Sequence, residues 1–363
     1  MENKHFTQLD GLRFFAVLMV IIGHWLQWTW TNPFLKALPL VHGVTLFFVL
    51  SGFLITRILF INGDRCIQEN TSVSQVLKSF YIRRALRIFP VYFLLVFFLF
   101  AIDYQNTRVL FPWIVSFSTN IYQSIHNAYV GNFNHFWSLA VEEQFYLFWP
   151  FVILFTKHRY RVHVILGTIV IAISYKWYLF MYVGKWMATS YSTLSCMHAL
   201  GIGALVAYVA LYEDKLVEVL TQTRWMIILF TLYVVMLVVQ HQISLRWYTA
   251  IGDEMLFALL SALVILKASQ KGFSGLTKKI LENKIIVHAG KVSYGMYLFH
   301  LFIPSLYDFI GTFVNIKLNN EYASTVIHGL ITFLLAHLSL RYLETPINKL
   351  KSRFEYVKKQ GAI

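Results

Sequence analysis

Arg13 and His24 stand eleven residues apart in LDGLRFFAVLMVIIGHWLQWTW, a stretch that is otherwise almost wholly apolar. On an α-helix that spacing puts both side chains within roughly 20° of one face and about 16 Å apart along it. A neutral imidazole near pH 7 is what a general base needs to take a proton from an alcohol as it attacks a carbonyl. Ionisable groups inside a bilayer cost several kcal/mol and by default mark functional sites that face a bundle interior or a cavity. The plainer readings are a buried histidine bonded to a neighbouring helix, an arginine that snorkels to the membrane surface, and Asp10 or Thr7 capping the helix start.

Other polar groups recur at helical spacing. In FYIRRALRIFP, Arg83, Arg84 and Arg87 fall on one side of a helix, with Pro90 within the next turn. They read either as a charge cluster that orients the chain or as a clamp for a phosphate-bearing ligand, since arginine's planar fork suits phosphate oxygens. In NHFWSLAVEEQFYLFWP, His135, Ser138, Glu142 and Tyr146 share a face, whereas Glu143 points about 100° away from Glu142. One of the two carboxylates could complement a helix N-terminus. The other is left as a pocket candidate.

In GVTLFFVLSGFLITR, Gly43, Ser51 and Gly52 read as small residues that let transmembrane helices approach closely. His198 in SCMHALGIG reads as packing. Ser293, Tyr297 and His300 lie on one side of GKVSYGMYLFHLFIP, with Tyr294 beside Ser293, and RYLETP sets Arg341 and Glu344 near the end of the last apolar run. Cys66 and Cys196 show no metal-ligand spacing, so no metal site is expected.

The elements that must position these groups are membrane helices. Of 363 residues, 58% are hydrophobic and 13% charged, where a soluble domain carries about 25% charged residues; mean hydropathy is +0.59. Apolar runs near 12–30, 43–61, 88–104, 136–156, 162–180, 190–212, 225–241, 247–267, 292–310 and 322–341 predict ten transmembrane helices in an all-α polytopic fold. The first is too long for a signal peptide and is read as a retained span. Residues 105–135 read as an outer loop.

With both termini cytoplasmic, the Lys and Arg residues fall on inner loops and ends, except Lys36, Arg108, Lys176, Lys185, Arg246 and Lys317. The net charge of +14 is scattered over these loops, which speaks against nucleic-acid binding. A single membrane domain is expected over 1–363, with a core of 9–346 and a short basic tail over 347–363. Membrane lipids are its surroundings.

In order and spacing, LDGLR with its downstream histidine, GVTLFFVLSGFLIT, YIRRALRIFP, HFWSLAVEEQFYLFWP, SYGMYLFH and RYLETP resemble the membrane acyltransferase-3 family from Leu9 to Pro346. The resemblance implies a ten-helix domain in the cytoplasmic membrane. It implies transfer of an acyl group, most often acetyl, from cytosolic acyl-CoA to a hydroxyl of a saccharide, lipid-linked glycan or other cell-envelope acceptor. Acyl-CoA is then a co-substrate, and no permanently bound cofactor is expected.

Carried over by motif, Arg13 and His24 correspond to the family's first-helix pair, Arg84 and Arg87 to its arginine motif, and Glu142 to the glutamate of WSL-x-x-E. Arg83 is expected to assist the arginine motif. Ser51, Tyr294 and His300 match recurrent positions, and Ser138 and Glu143 are further pocket candidates. Phe14 and Phe15 are bulky where similar proteins carry small residues. Many relatives append an SGNH esterase-like domain, and nothing of that length follows Glu344. The expectation is that the membrane domain completes the transfer itself or hands over to a separate periplasmic partner.

The resulting mechanism has Arg84 and Arg87 on the acyl-CoA phosphates, the pantetheine arm passing Arg13, and His24, oriented by Glu142 or another polar group, as base. The rival is a transporter that uses the same buried groups as a proton or substrate pathway. Inverted repeats and matching broken spans would favour it, and no internal repeat is evident in the sequence. Trp25, Trp28, Trp30 and Trp113 suit stacking on sugar rings, but aromatic residues gather at any membrane interface.

Overall fold

The computed structural model describes residues 5–26, 40–243, 251–314 and 320–356, which form helices joined by turns, with no strand among them. Trp28, Trp30 and the start of the expected 247–267 span lie outside the described residues. The helices that matter below are α1 (Thr7–Leu26), α2 (Gly43–Gln68), α3 (Val73–Ala101), α4 (Phe136–Phe155), α5 (Arg161–Tyr178), α6 (Thr193–Tyr212), α7 (Thr223–Ile243), α8 (Asp253–Gln270), α9 (Gly275–Leu281), α10 (Lys284–Lys291), α11 (Ser293–Phe299), α12 (Ile303–Val314) and α13 (Glu321–Ser339).

Among the described residues, eight helical segments are long and apolar enough to cross a membrane. A ninth crossing results if α8 and α9, bent by 87° at their junction, form one span. The protein is a multi-pass membrane protein with the expected all-α polytopic fold; among the described residues, the expected span 292–310 is not one helix. α11 stops at Phe299 and α12 starts at Ile303. Pro304 lacks the N–H that would satisfy the His300 carbonyl, and its ring crowds that turn, so a straight helix cannot continue. Residues 105–135 form only short helices, Thr107–Val115 and Thr119–His126 the longest, in keeping with a segment that does not span.

Two compact units emerge from the contacts. The first comprises Met1–Arg57, Phe117–Val130 and Phe136–Lys291; the second comprises Ile58–Ser116, Gly131–His135 and Val292–Ile363.

In the first unit, helix axes are brought together by glycines. A Cβ on Gly52 would lie 2.0 Å from the Leu200 carbonyl oxygen, and one on Gly203 would lie 2.1 Å from that of Val49, so α2 and α6 cross backbone to backbone through a reciprocal glycine pair. Gly290 of α10 likewise admits the Asp10 carbonyl of α1, where a Cβ would come within 1.8 Å. Apolar burial between helices offers little in lipid, so such close van der Waals approach is what drives association. The packing reading of Gly43 and Gly52 therefore holds. That of Ser51 does not.

In the second unit, α3 continues through Pro90. The Tyr92 hydroxyl donates to the Ile114 carbonyl at 2.8 Å and that of Tyr294 to the Ile88 carbonyl at 2.9 Å, tying α3 to its neighbours. α11 lies against α13 where Gly295 faces Ala336, a Cβ there lying 3.0 Å from the alanine methyl.

Candidate active site

On α1, Arg13 forms an ion pair with Asp10, whose other carboxylate oxygen lies 3.0 Å from Nε2 of His5. Asp10 is buried, and it engages two side chains where a capping role was the simpler expectation. Three turns on, His24 is half-buried, and its imidazole hydrogen-bonds the Val20 carbonyl one turn back. A carbonyl only accepts, so one ring nitrogen donates to it. In the neutral ring, the other nitrogen then keeps its lone pair.

Ser51 lies opposite Glu142. Its Oγ donates to the carboxylate at 2.6 Å and lies 3.2 Å from the Tyr146 hydroxyl, which itself donates to the other carboxylate oxygen at 3.3 Å. The triangle closes because Glu142 and Tyr146 are one turn apart on α4 while α2 runs alongside. Further along the same two helices, Trp149 Nε1 donates to Thr56 Oγ1 at 2.8 Å. Glu142 is thus held between two hydroxyls on the seam of α2 and α4. Ser138 is buried on the same face, and Glu143 is half-buried.

The polar stripe read from the sequence does not stay together. His135 belongs to the second unit, where its Nε2 donates to the Leu298 carbonyl at 3.2 Å and its own carbonyl accepts from the Tyr297 hydroxyl at 2.8 Å. Its ring packs edge-on against that of His300, with centroids 4.8 Å apart. His300 Nδ1 donates to the Tyr297 carbonyl at 2.7 Å, so this histidine is fully buried in the bend between α11 and α12.

Arg83 is held by the segment that follows α13. Its guanidinium donates to the carbonyls of Lys351, at 2.7 Å, and Phe354, at 3.2 Å, and lies over the Tyr356 ring. Arg84 lies over Phe80. Arg87 and Glu344 are electrostatic neighbours, and Glu344 is buried with its carboxylate 3.2 Å from the Ser339 hydroxyl.

One cluster was missed by reading local stretches. Lys176, expected near the outer end of its span, is fully buried and ion-paired with Glu254 at the start of α8. His198 Nε2 lies 3.7 Å from the same carboxylate while its Nδ1 donates to the Ser195 carbonyl at 2.6 Å, and His42 Nε2 lies 2.9 Å from Asp253. His198 therefore takes part in a polar cluster with Glu254 and Lys176, where packing was the main expectation. The available signal was the pair Asp253–Glu254 opening an apolar helix.

Residues 6–340 match the acyltransferase-3 family, described as an acyltransferase domain. The chain belongs to this family. The O-acetyltransferase OatA of Staphylococcus aureus (strain NCTC 8325 / PS 47) is 29% identical over 385 residues, covering 95% of this chain and 58% of OatA. A protein of Staphylococcus aureus (strain COL), whose name gives O-acetyltransferase as an unconfirmed assignment, is 27% identical over 380 residues, covering 96% of this chain and 58% of its own length. The chain thus spans 58% of the length of these relatives. No solved structure is significantly similar to it.

Proposed function

We propose that the protein transfers an acyl group, acetyl in the first instance, from acyl-CoA to a hydroxyl of a saccharide or other cell-envelope acceptor, working in the cytoplasmic membrane with both termini inside. Family membership and the O-acetyltransferase relative support the reaction class. His24 is the base. The observation that carries this role is its bond to the Val20 carbonyl, which holds the imidazole in a fixed orientation on α1.

In the proposed step, that nitrogen takes the proton of the acceptor hydroxyl as its oxygen attacks the thioester carbonyl. The C–S bond breaks, and the departing thiolate receives the proton from the imidazolium. A base in this position contributes about 10²–10⁴-fold. Arg13, held by Asp10, supports the pantetheine arm, and Arg84 and Arg87 hold the phosphates. Glu142, between the hydroxyls of Ser51 and Tyr146, supplies a fixed negative charge that steadies polar groups around the reacting centre. Delivery to the final acceptor is either direct or through a separate periplasmic protein.

Incubation of the purified protein with radiolabelled acetyl-CoA tests the reading. Release of coenzyme A, with label appearing on an added saccharide or in water, is the expected result. A protein that binds no coenzyme A and turns over no acetyl-CoA would overturn it, as a transporter would behave.

A further inference from the structure

Residues 340–353, directly after α13, form ordered helical turns. A π-helical turn over Leu340–Glu344 breaks the α-helical register, and Glu344 is buried within it. A short helix (Thr345–Lys349) and a 3₁₀ turn (Leu350–Arg353) follow. π-Turns inside helices recur at functional sites.

This segment is sewn to the start of α3 by three backbone carbonyls. Those of Lys351 and Phe354 accept from Arg83, and that of Glu355 accepts from the Ser79 hydroxyl at 2.9 Å. The sewing sets the half-buried Lys351 within electrostatic range of Arg83, Arg84 and Arg87, with Glu344 as the carboxylate beside them. Lys351 thus faces three guanidinium groups and one carboxylate, and like charges so gathered repel one another. A polyanion relieves that repulsion, and phosphate oxygens accept from both guanidinium and ammonium groups.

We infer that Lys351 is a further ligand for the phosphate groups held by Arg84 and Arg87, and that Arg83 is a positioning residue that fixes Lys351 through the backbone. The inference rests on the acyl-CoA reading. It also alters Arg83's part in it, from phosphate ligand to anchor. Phosphate esters reach a membrane protein from coenzyme A or from anionic lipid headgroups. Coenzyme A fits better, because it brings a diphosphate and a 3′-phosphate to one cluster of cations.

The test measures equilibrium binding of coenzyme A to the full chain in nanodiscs of phosphatidylcholine, with and without phosphatidylglycerol, alongside acetyl-CoA kinetics. Lys351→Gln should weaken coenzyme A about tenfold, the effect of one charge-assisted hydrogen bond, in both lipid mixtures, and Lys351→Arg should restore most of it. Arg83→Gln should raise the KM for acetyl-CoA by a similar factor with kcat unchanged. If wild type binds coenzyme A and Lys351→Gln binds it equally well, or differs only with phosphatidylglycerol present, the inference fails while the acyl-CoA reading stands. Failure of wild type to bind coenzyme A removes both.

Discussion

The Ser51 hydroxyl donates to the Glu142 carboxylate at 2.6 Å, joining α2 to α4 through two residues that are ninety-one positions apart in the chain. A charge-assisted bond of this kind fixes the carboxylate more firmly than a neutral pair would. Glu142→Gln should lower kcat at least tenfold. Ser51→Ala should cost less on its own and little more on top of Glu142→Gln, with a coupling of about 1 kcal/mol. A double-mutant cycle on kcat checks it, and strict additivity would mean that the two groups act separately.

His24→Ala should abolish acyl transfer, a drop of about 10²–10⁴, while the protein still accumulates in the membrane. Its partner is a carbonyl of its own helix, so losing the imidazole leaves the helix ladder intact. Turnover at the wild-type rate would exclude it as the base.

Lys176 is buried against the half-buried Glu254, so removing one partner strands the other charge. Lys176→Met alone should destabilise the protein by about 3–5 kcal/mol. Lys176→Met combined with Glu254→Leu should recover much of that loss. Thermal unfolding of the solubilised protein, compared across the single and double variants, measures both effects. A double variant no more stable than Lys176→Met would show that the two charges are not compensating one another.

The glycine pair at the crossing of α2 and α6 leaves no room for a methyl group. Gly52→Ala or Gly203→Ala should force the two backbones apart and destabilise the fold by about 1–3 kcal/mol, as overpacking does. Gly167, which has open space around it, is the control: Gly167→Ala should be tolerated. Fluorescence-detected size exclusion after graded heating would report the difference.

Much of this protein was legible from local pattern. Apolar length marked the spans, and the spacing of Glu142 and Tyr146 gave the face that later proved to hold Ser51. Even the break at His300 was written in Pro304, although a run of apolar residues disguised it. Helical periodicity records which residues share a face because that follows from 3.6 residues per turn alone.

What periodicity does not record is the partner across the interface. Arg83 stands in sequence beside Arg84 and Arg87, yet its guanidinium binds the backbone near Lys351. Lys176 resembles any outer-end lysine until α5 and α8 pack and bury it against Glu254. His135 shares a helical stripe with Glu142 but belongs with Tyr297 and His300. In lipid, apolar side chains gain little by choosing one neighbour over another, so close backbone contacts and polar bonds between distant segments make the choice. The sequence therefore determined the helices, their faces and the family. Only the tertiary structure decided which charges meet.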